Sequence, residues 1–246
     1  ASAEPESPDE NKMVYIERGV YTPFFEKLKN GKKSIVMVEP FYLDITPVTN
    51  QQFLRFVNED DRWLRSNVKD IFAEDFYLKH WLSDTSIDPK DESRPVRFVS
   101  WFAANAYCEY VGKELPTTLQ WEYVGSANEK IPFASNTDAF KEKILHWYSK
   151  PSGDEISNVG AGKANYFGVK DMHGLHWEWI LDFNAALVTG ESREDTVLNR
   201  NKFCGSGSLN AKDKLDYGGF MRFGFRSSLK GNYAIKNLGF RCAKRE

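Results

Sequence analysis

Aromatic side chains constrain this chain more than any other feature. Seven Trp, eleven Tyr and eighteen Phe are distributed through 246 residues. Each such ring buries a large area, so rings can fill a core whose regular secondary structure is sparse. One stretch shows the consequence directly: from Arg62 to Asp91 the chain is charged and aromatic with no sustained period, a long irregular excursion. The length suits one large domain or two small ones. Apolar residues at 41 % and charged residues at 28 % are ordinary for a globular protein.

Charge and hydropathy exclude some classes. The formal net charge is −2, so no basic field favours nucleic acid or an anionic membrane surface. No run of 18 apolar residues occurs, so no membrane span is expected. Residues 1–12 are acidic, contain Pro and lack large apolar side chains, which predicts a disordered segment ahead of one domain over 13–246.

Met13–Ile16 and Ser34–Val38 are short and rich in β-formers, and Phe41–Thr49 reads as a further strand ending in a turn. Thr49 is a candidate N-cap for a helix carrying Phe53, Leu54, Phe56 and Val57. Ser100 is a second, before a helix from Trp101 to Val111 that stops at Gly112. Pro116–Val124 starts a third short helix. Beyond about Asn128 the pattern predicts mostly turns and short strands. No linker and no internal repeat is visible, and an α+β domain rich in loops is the simplest reading.

Five segments, in order, resemble one family. They are Phe41–Phe53, Arg94–Trp101, Ala106–Tyr123, Asn165–Trp179 and Asn237–Cys242, with the most specific runs being Leu115-Pro-Thr-Thr-Leu-Gln-Trp-Glu122, Asp171-Met-His-Gly-Leu-His-Trp-Glu-Trp179 and Gly239-Phe-Arg-Cys242. They are similar to segments of the formylglycine-generating-enzyme (sulfatase-modifying factor) family, which implies a C-type-lectin-like α+β fold. It does not carry the activity over, because function belongs to the site.

That family's enzyme oxidises a sulfatase cysteine with copper held by two thiolates, and soft thiolates suit Cu(I). The matching stretch here runs from Ser206 to Arg226. Counted forward from Ser208, the cysteine positions hold Ala211 and Asp216; counted back from Arg226, they hold Asp213 and Gly218. Neither registration supplies a sulfur, so no two-thiolate copper site is expected there. Cys108 and Cys242 match positions that form a disulfide in secreted members, which implies a bridge and an extracytoplasmic, periplasmic or secreted, location. Cys204 is left over. It reads as a small buried side chain or as a thiol reaching the pocket.

The loop Asp171–Glu178 resembles a family calcium loop. The resemblance implies side-chain oxygens from Asp171 and Glu178 and backbone carbonyls from Gly174 and His176, a hard-oxygen set of the kind calcium takes. Leu175 stands where the family commonly has Asn. The other reading is a turn in which both carboxylates cap backbone donors. His173 and His176, three apart in a loop, are a weak metal pair; the remaining histidines, His80 and His146, sit in no ligand-like motif. Arg222, Arg226 and Arg241 lie among Phe residues and read either as struts paired with Glu122, Glu178 or Asp182, or as an anion-recognising fork. Trp121, Trp177 and Trp179 read first as core.

The candidate pocket is therefore bounded by Trp177, Ser208, Arg222 and Arg226, with Cys204 nearby; no catalytic residue is assigned. Three functions are compatible with a family fold lacking its thiolates. The first is an accessory or maturation factor binding a peptide or protein partner. The second is an oxidoreductase with different chemistry in the same pocket, resembling the pyoverdine-maturation oxidase. The third is a structural cell-envelope component.

Overall fold

A computed structural model describes residues 11–23, 35–149, 156–184 and 217–246. In chain order its elements are β1 (Met13–Ile16), β2 (Gly19–Tyr21), β3 (Val36–Val38), β4 (Phe41–Asp44), α1 (Asn50–Glu59), α2 (Trp101–Tyr110), α3 (Thr118–Gly125), α4 (Asp138–Ser149), β5 (Trp177–Glu178), α5 (Tyr217–Ser228), β6 (Leu238–Gly239) and β7 (Ala243–Arg245). Mixed short helices and strands joined by long loops agree with the expected α+β class.

The strands form small sheets. β4 lies between β1 and β7, antiparallel to both, with Met13 opposite Asp44 and Leu43 opposite Ala243. Alternation along β4 buries Phe41 and Leu43 and turns Tyr42 outward, where its ring meets Tyr15 of β1 at 5.2 Å. β2 and β3 make an antiparallel pair, and β5 and β6 a parallel one.

Capping fixes the first three helices. The Thr49 hydroxyl accepts from the Gln52 amide, and the Gln52 side chain accepts from the Thr49 amide in return. Thr117 and Gln120 repeat this box at α3, and Ser100 caps α2. The φ of +69° at Gly112, just beyond α2, is a left-handed turn that Gly adopts without strain. α1 then presents Phe53 and Phe56 inward, with Tyr107 of α2 and Phe240 each within 6.0 Å of the Phe53 centroid. The core is an aromatic cluster, as the composition implied.

Two expectations are corrected. Past Asn128 the chain forms the helices α4 and α5 in addition to turns. α4 carries Phe140, Ile144 and Tyr148 four residues apart, a helical stripe inside a stretch whose polar residues masked it. The N-terminal boundary also moves. Asn11 and Lys12 are anchored, since the Lys12 carbonyl accepts from the Ile45 amide and the Asn11 side chain donates to the Thr46 carbonyl.

Cys108 of α2 and Cys242 are joined by a disulfide, at a sequence separation of 134. Beside it the buried Asp44 carboxylate accepts from the Cys242 amide and from the Lys113 ammonium. Closing so long a loop contributes about 5 kcal/mol in the chain-entropy model. A Cys108→Ala/Cys242→Ala variant is expected to lose roughly 2–5 kcal/mol of unfolding free energy in urea titration. An unchanged midpoint would show that the bridge contributes nothing.

Candidate functional site

α3 supplies Trp121 and Glu122, β5 supplies Trp177 and Glu178, α5 supplies Arg222 and Arg226, and the segment after β6 supplies Arg241. The parallel β5–β6 pair sets Glu178 opposite Gly239, two residues before Arg241. A side chain at Gly239 would collide with the His176 ring and the Val96 carbonyl, so this close approach requires Gly.

Two buried ion pairs organise the site. Glu178 and Arg241, both 0 % exposed, form a two-bond fork at 2.8 and 2.9 Å. Trp121 also donates its indole N–H to Glu178 at 2.7 Å. Burial pushes the Glu178 carboxyl up, but the Arg241 charge together with the hydrogen bonds from Arg241 and Trp121 outweighs it and holds it below its ordinary value. Glu122 sits between two cations. Arg222 donates to it through Nε and Nη2, each at 2.9 Å, and Arg226 through Nη1 at 2.6 Å. Burial opposes its ionisation, yet the two guanidinium charges lower the Glu122 pKa to about 2.

The expected pocket residues are thus brought together only in part. Trp177, Arg222 and Arg226 converge, whereas Ser208 and Cys204 lie outside the described residues, as do Ala211, Asp213 and Asp216. Gly218, the remaining candidate cysteine position, sits in α5 against the Ile144 side chain. Trp177 is half-buried. Tyr148 of α4 stacks on it at 4.9 Å and 16°, and Phe225 of α5 packs at 4.5 Å. The Tyr148 hydroxyl also accepts from Arg222 at 3.3 Å. Sequence reasoning missed Tyr148 and Trp147; the stripe in α4 was the available signal. Trp179 and Trp121 are buried, as their reading as core implies.

The calcium expectation is revised on this geometry. Both Glu178 oxygens face Arg241, and one also accepts from Trp121. The Asp171 carboxylate accepts from the Gly160 amide, and Asp171 and Gly174 both adopt positive φ in a tight turn. Glu178 is already engaged by a guanidinium and an indole, so the residues as placed do not fit calcium; Asp171 caps a backbone donor as the turn reading implies, whereas Glu178 meets side-chain donors instead. Adding EDTA, or calcium afterwards, is expected to leave the melting temperature unchanged; a calcium-dependent rise would restore the calcium loop.

Three histidines, His80, His173 and His176, sit largely inside the fold and are held neutral there. His173 shares a 2.7 Å hydrogen bond with the Gly125 carbonyl, which makes Nε2 the protonated nitrogen, and its ring lies edge-on to Trp121. Neither ring nitrogen of His176 meets a partner among the described residues. Burial lowers the pKa of His173 and of His176 to about 4, and that of His80, beside Asn50, to about 3. No group of three or more His, Cys, Asp or Glu side chains among the described residues is arranged to hold a metal ion. All three folded-state values lie below the unfolded value of about 6.5, so the unfolded chain binds more protons as pH falls. Their stability contribution is complete above about pH 6.5 and is lost towards pH 4. Urea titrations across that window should show stability falling with pH, with a slope approaching three protons. A flat profile would show that these rings are accessible.

The sulfatase-modifying factor enzyme 1-like domain matches residues 1–246. The chain belongs to this family. Formylglycine-generating enzyme of Mus musculus is 27 % identical over 298 residues, covering 94 % of this chain and 74 % of the relative. Inactive C-alpha-formylglycine-generating enzyme 2 of Bos taurus is 29 % identical over 254 residues, covering 85 % and 78 %. Similarity to one active and one inactive relative is nearly equal, so identity does not decide activity here. The chain also matches part of a serine/threonine-protein kinase pkn1 of Chlamydia caviae, covering only 28 % of that protein's length. The solved structure of PvdO from Pseudomonas aeruginosa superposes with a TM-score of 0.52 at 17 % identity, covering 98 % of this chain and 96 % of that one. It supports the fold. No described helix is long and apolar enough to cross a membrane.

Proposed function

We propose that this chain is a sulfatase-modifying-factor-like protein that does not form formylglycine and acts as an accessory or maturation factor, binding a peptide or protein partner at the Trp177–Arg226 site. The carrying observation is the stretch Ser206–Arg226, which holds no sulfur at either registration of the enzyme's copper-binding pair. Two-thiolate chemistry cannot be assembled from Ala211 and Asp216 or from Asp213 and Gly218. What supports recognition is the arrangement of the rest. Aromatic rings and paired arginines are gathered at one place, the combination enriched where proteins bind partners. The Cys108–Cys242 bridge suits an oxidising compartment, which supports a partner outside the cytoplasm, periplasmic or secreted.

Two measurements test this reading. Incubation with a sulfatase-type Cys peptide, copper and oxygen should yield no aldehyde by mass spectrometry; turnover would overturn the loss of chemistry. Selection of peptides on the immobilised chain should enrich a family whose binding falls at least about tenfold in Trp177→Ala, a loss of about 1.4 kcal/mol. Absence of any selected peptide, or equal binding by the variant, would remove the recognition role from this site.

A further inference from the structure

The three arginines of the site differ in how completely their donors are used. A guanidinium carries five N–H groups in a fixed fork and cannot give up its charge. Arg241 makes five hydrogen bonds: two to Glu178 and one each to the Asp44, Ile45 and Lys170 carbonyls. Arg222 uses all three nitrogens, Nε and Nη2 on Glu122 and Nη1 on the Tyr148 hydroxyl. Arg226 makes one hydrogen bond, from Nη1 to Glu122. Its Nε and Nη2 meet no acceptor among the described residues, although its side chain is only 6 % exposed. Below it lies the Trp121 ring, 4.8 Å from the guanidinium carbon.

Charge is unbalanced in the same place. Arg241 is neutralised by Glu178, but Arg222 and Arg226 share the single carboxylate of Glu122. Among the described residues one positive charge remains. The described neighbouring groups do not supply a counter-charge: burial keeps the phenols of Tyr21 and Tyr148 protonated and the His173 ring neutral. An unmatched guanidinium in a nearly closed site carries a large desolvation cost unless an anion meets it.

We infer that Arg226 is the head of a carboxylate-binding subsite, with Nε and Nη2 as its two-pronged donor edge and Trp121 as its floor; this rests on the partner-binding reading above. The Nε–Nη2 edge is planar and matches the two oxygens of a carboxylate. A single excess charge favours a monoanion over a phosphate dianion, which would leave a buried negative charge in place of a positive one. Arg222 is then a strut that fixes Glu122, and Arg226 alone reads the ligand. The carboxylate comes either from a free small acid or from the partner peptide, as its C-terminus or an acidic side chain.

The test uses the full chain with acetate replacing chloride at constant ionic strength. The melting temperature should rise saturably with acetate in the wild type and not in Arg226→Gln. Should that variant fail to fold, the Arg226 Nε–H resonance of the wild-type protein should shift saturably on the same titration. The signal should be about 90 % complete at ten times Kd. No saturable acetate effect on either readout, or an equal effect in Arg226→Gln, overturns the subsite. Peptides from the preceding selection separate the sources. If amidating the C-terminus weakens binding at least about tenfold (1.4 kcal/mol), the chain end is the ligand. If replacing an acidic residue by its amide does so instead, that side chain is. Peptides that bind Arg226→Gln as tightly as the wild type would overturn the inference and leave the partner-binding reading standing. An acetate effect without any peptide binding would leave the subsite and remove the partner.

Discussion

The buried pair of Glu178 and Arg241 holds the site to the rest of the molecule. Neither side chain is exposed, and every donor of Arg241 has an acceptor. Three of those acceptors are main-chain carbonyls from residues 44, 45 and 170, so one guanidinium ties the end of β4, the loop before Asp171 and β5 together. Removing either partner would leave a charge in a sealed interior, at a cost of several kcal/mol. A core of rings has little hydrogen-bonded secondary structure to fix the positions of its loops. The ion pair supplies directional bonds where the sheets, of two or three strands, cannot.

Trp121 connects this pair to the second one. Its indole N–H reaches Glu178, while its ring lies under Arg226, which is held by the neighbouring residue Glu122. Adjacent residues of α3 therefore serve different ion pairs. The Thr117–Gln120 capping box fixes the start of that helix, and the positions of both follow from it. Local sequence in α3 thus propagates directly into the electrostatics of the site.

The balance at the site separates scaffold from recognition. Glu178 and Arg241 are matched in charge and in hydrogen bonds, which is how a purely structural pair looks. Among the described residues the Arg222–Glu122–Arg226 group has one cation too many and donors left over. Its aromatic surroundings, Trp177 with Tyr148 and Phe225, narrow the approach to it. Loss of both thiolates removes the family's oxidative chemistry and leaves these features in place, which is why recognition, rather than a different catalysis, is the function proposed.

The sequence by itself determined the family, the α+β class, the caps at Thr49, Ser100 and Thr117, the pairing of Cys108 with Cys242 and the absence of cysteine between Ser206 and Arg226. These are local or are carried by motif identity. Thr, Ser and Gly at helix ends act through hydrogen bonds spanning five residues or fewer, and a missing cysteine needs no coordinates. Tertiary structure alone decided which carboxylate each arginine meets. Arg222 and Arg226 lie about a hundred residues from Glu122, and no periodicity links the two segments. The same holds for Glu178: as a sequence element it matches a calcium ligand, and only the fold places Arg241 on both its oxygens. Tyr148 was hidden for a related reason, since α4 is helical by an apolar stripe whose value depends on α5 and Trp177 lying opposite. Charge partners and ring contacts are set by chain crossings distant in sequence, and those are what the linear pattern does not encode.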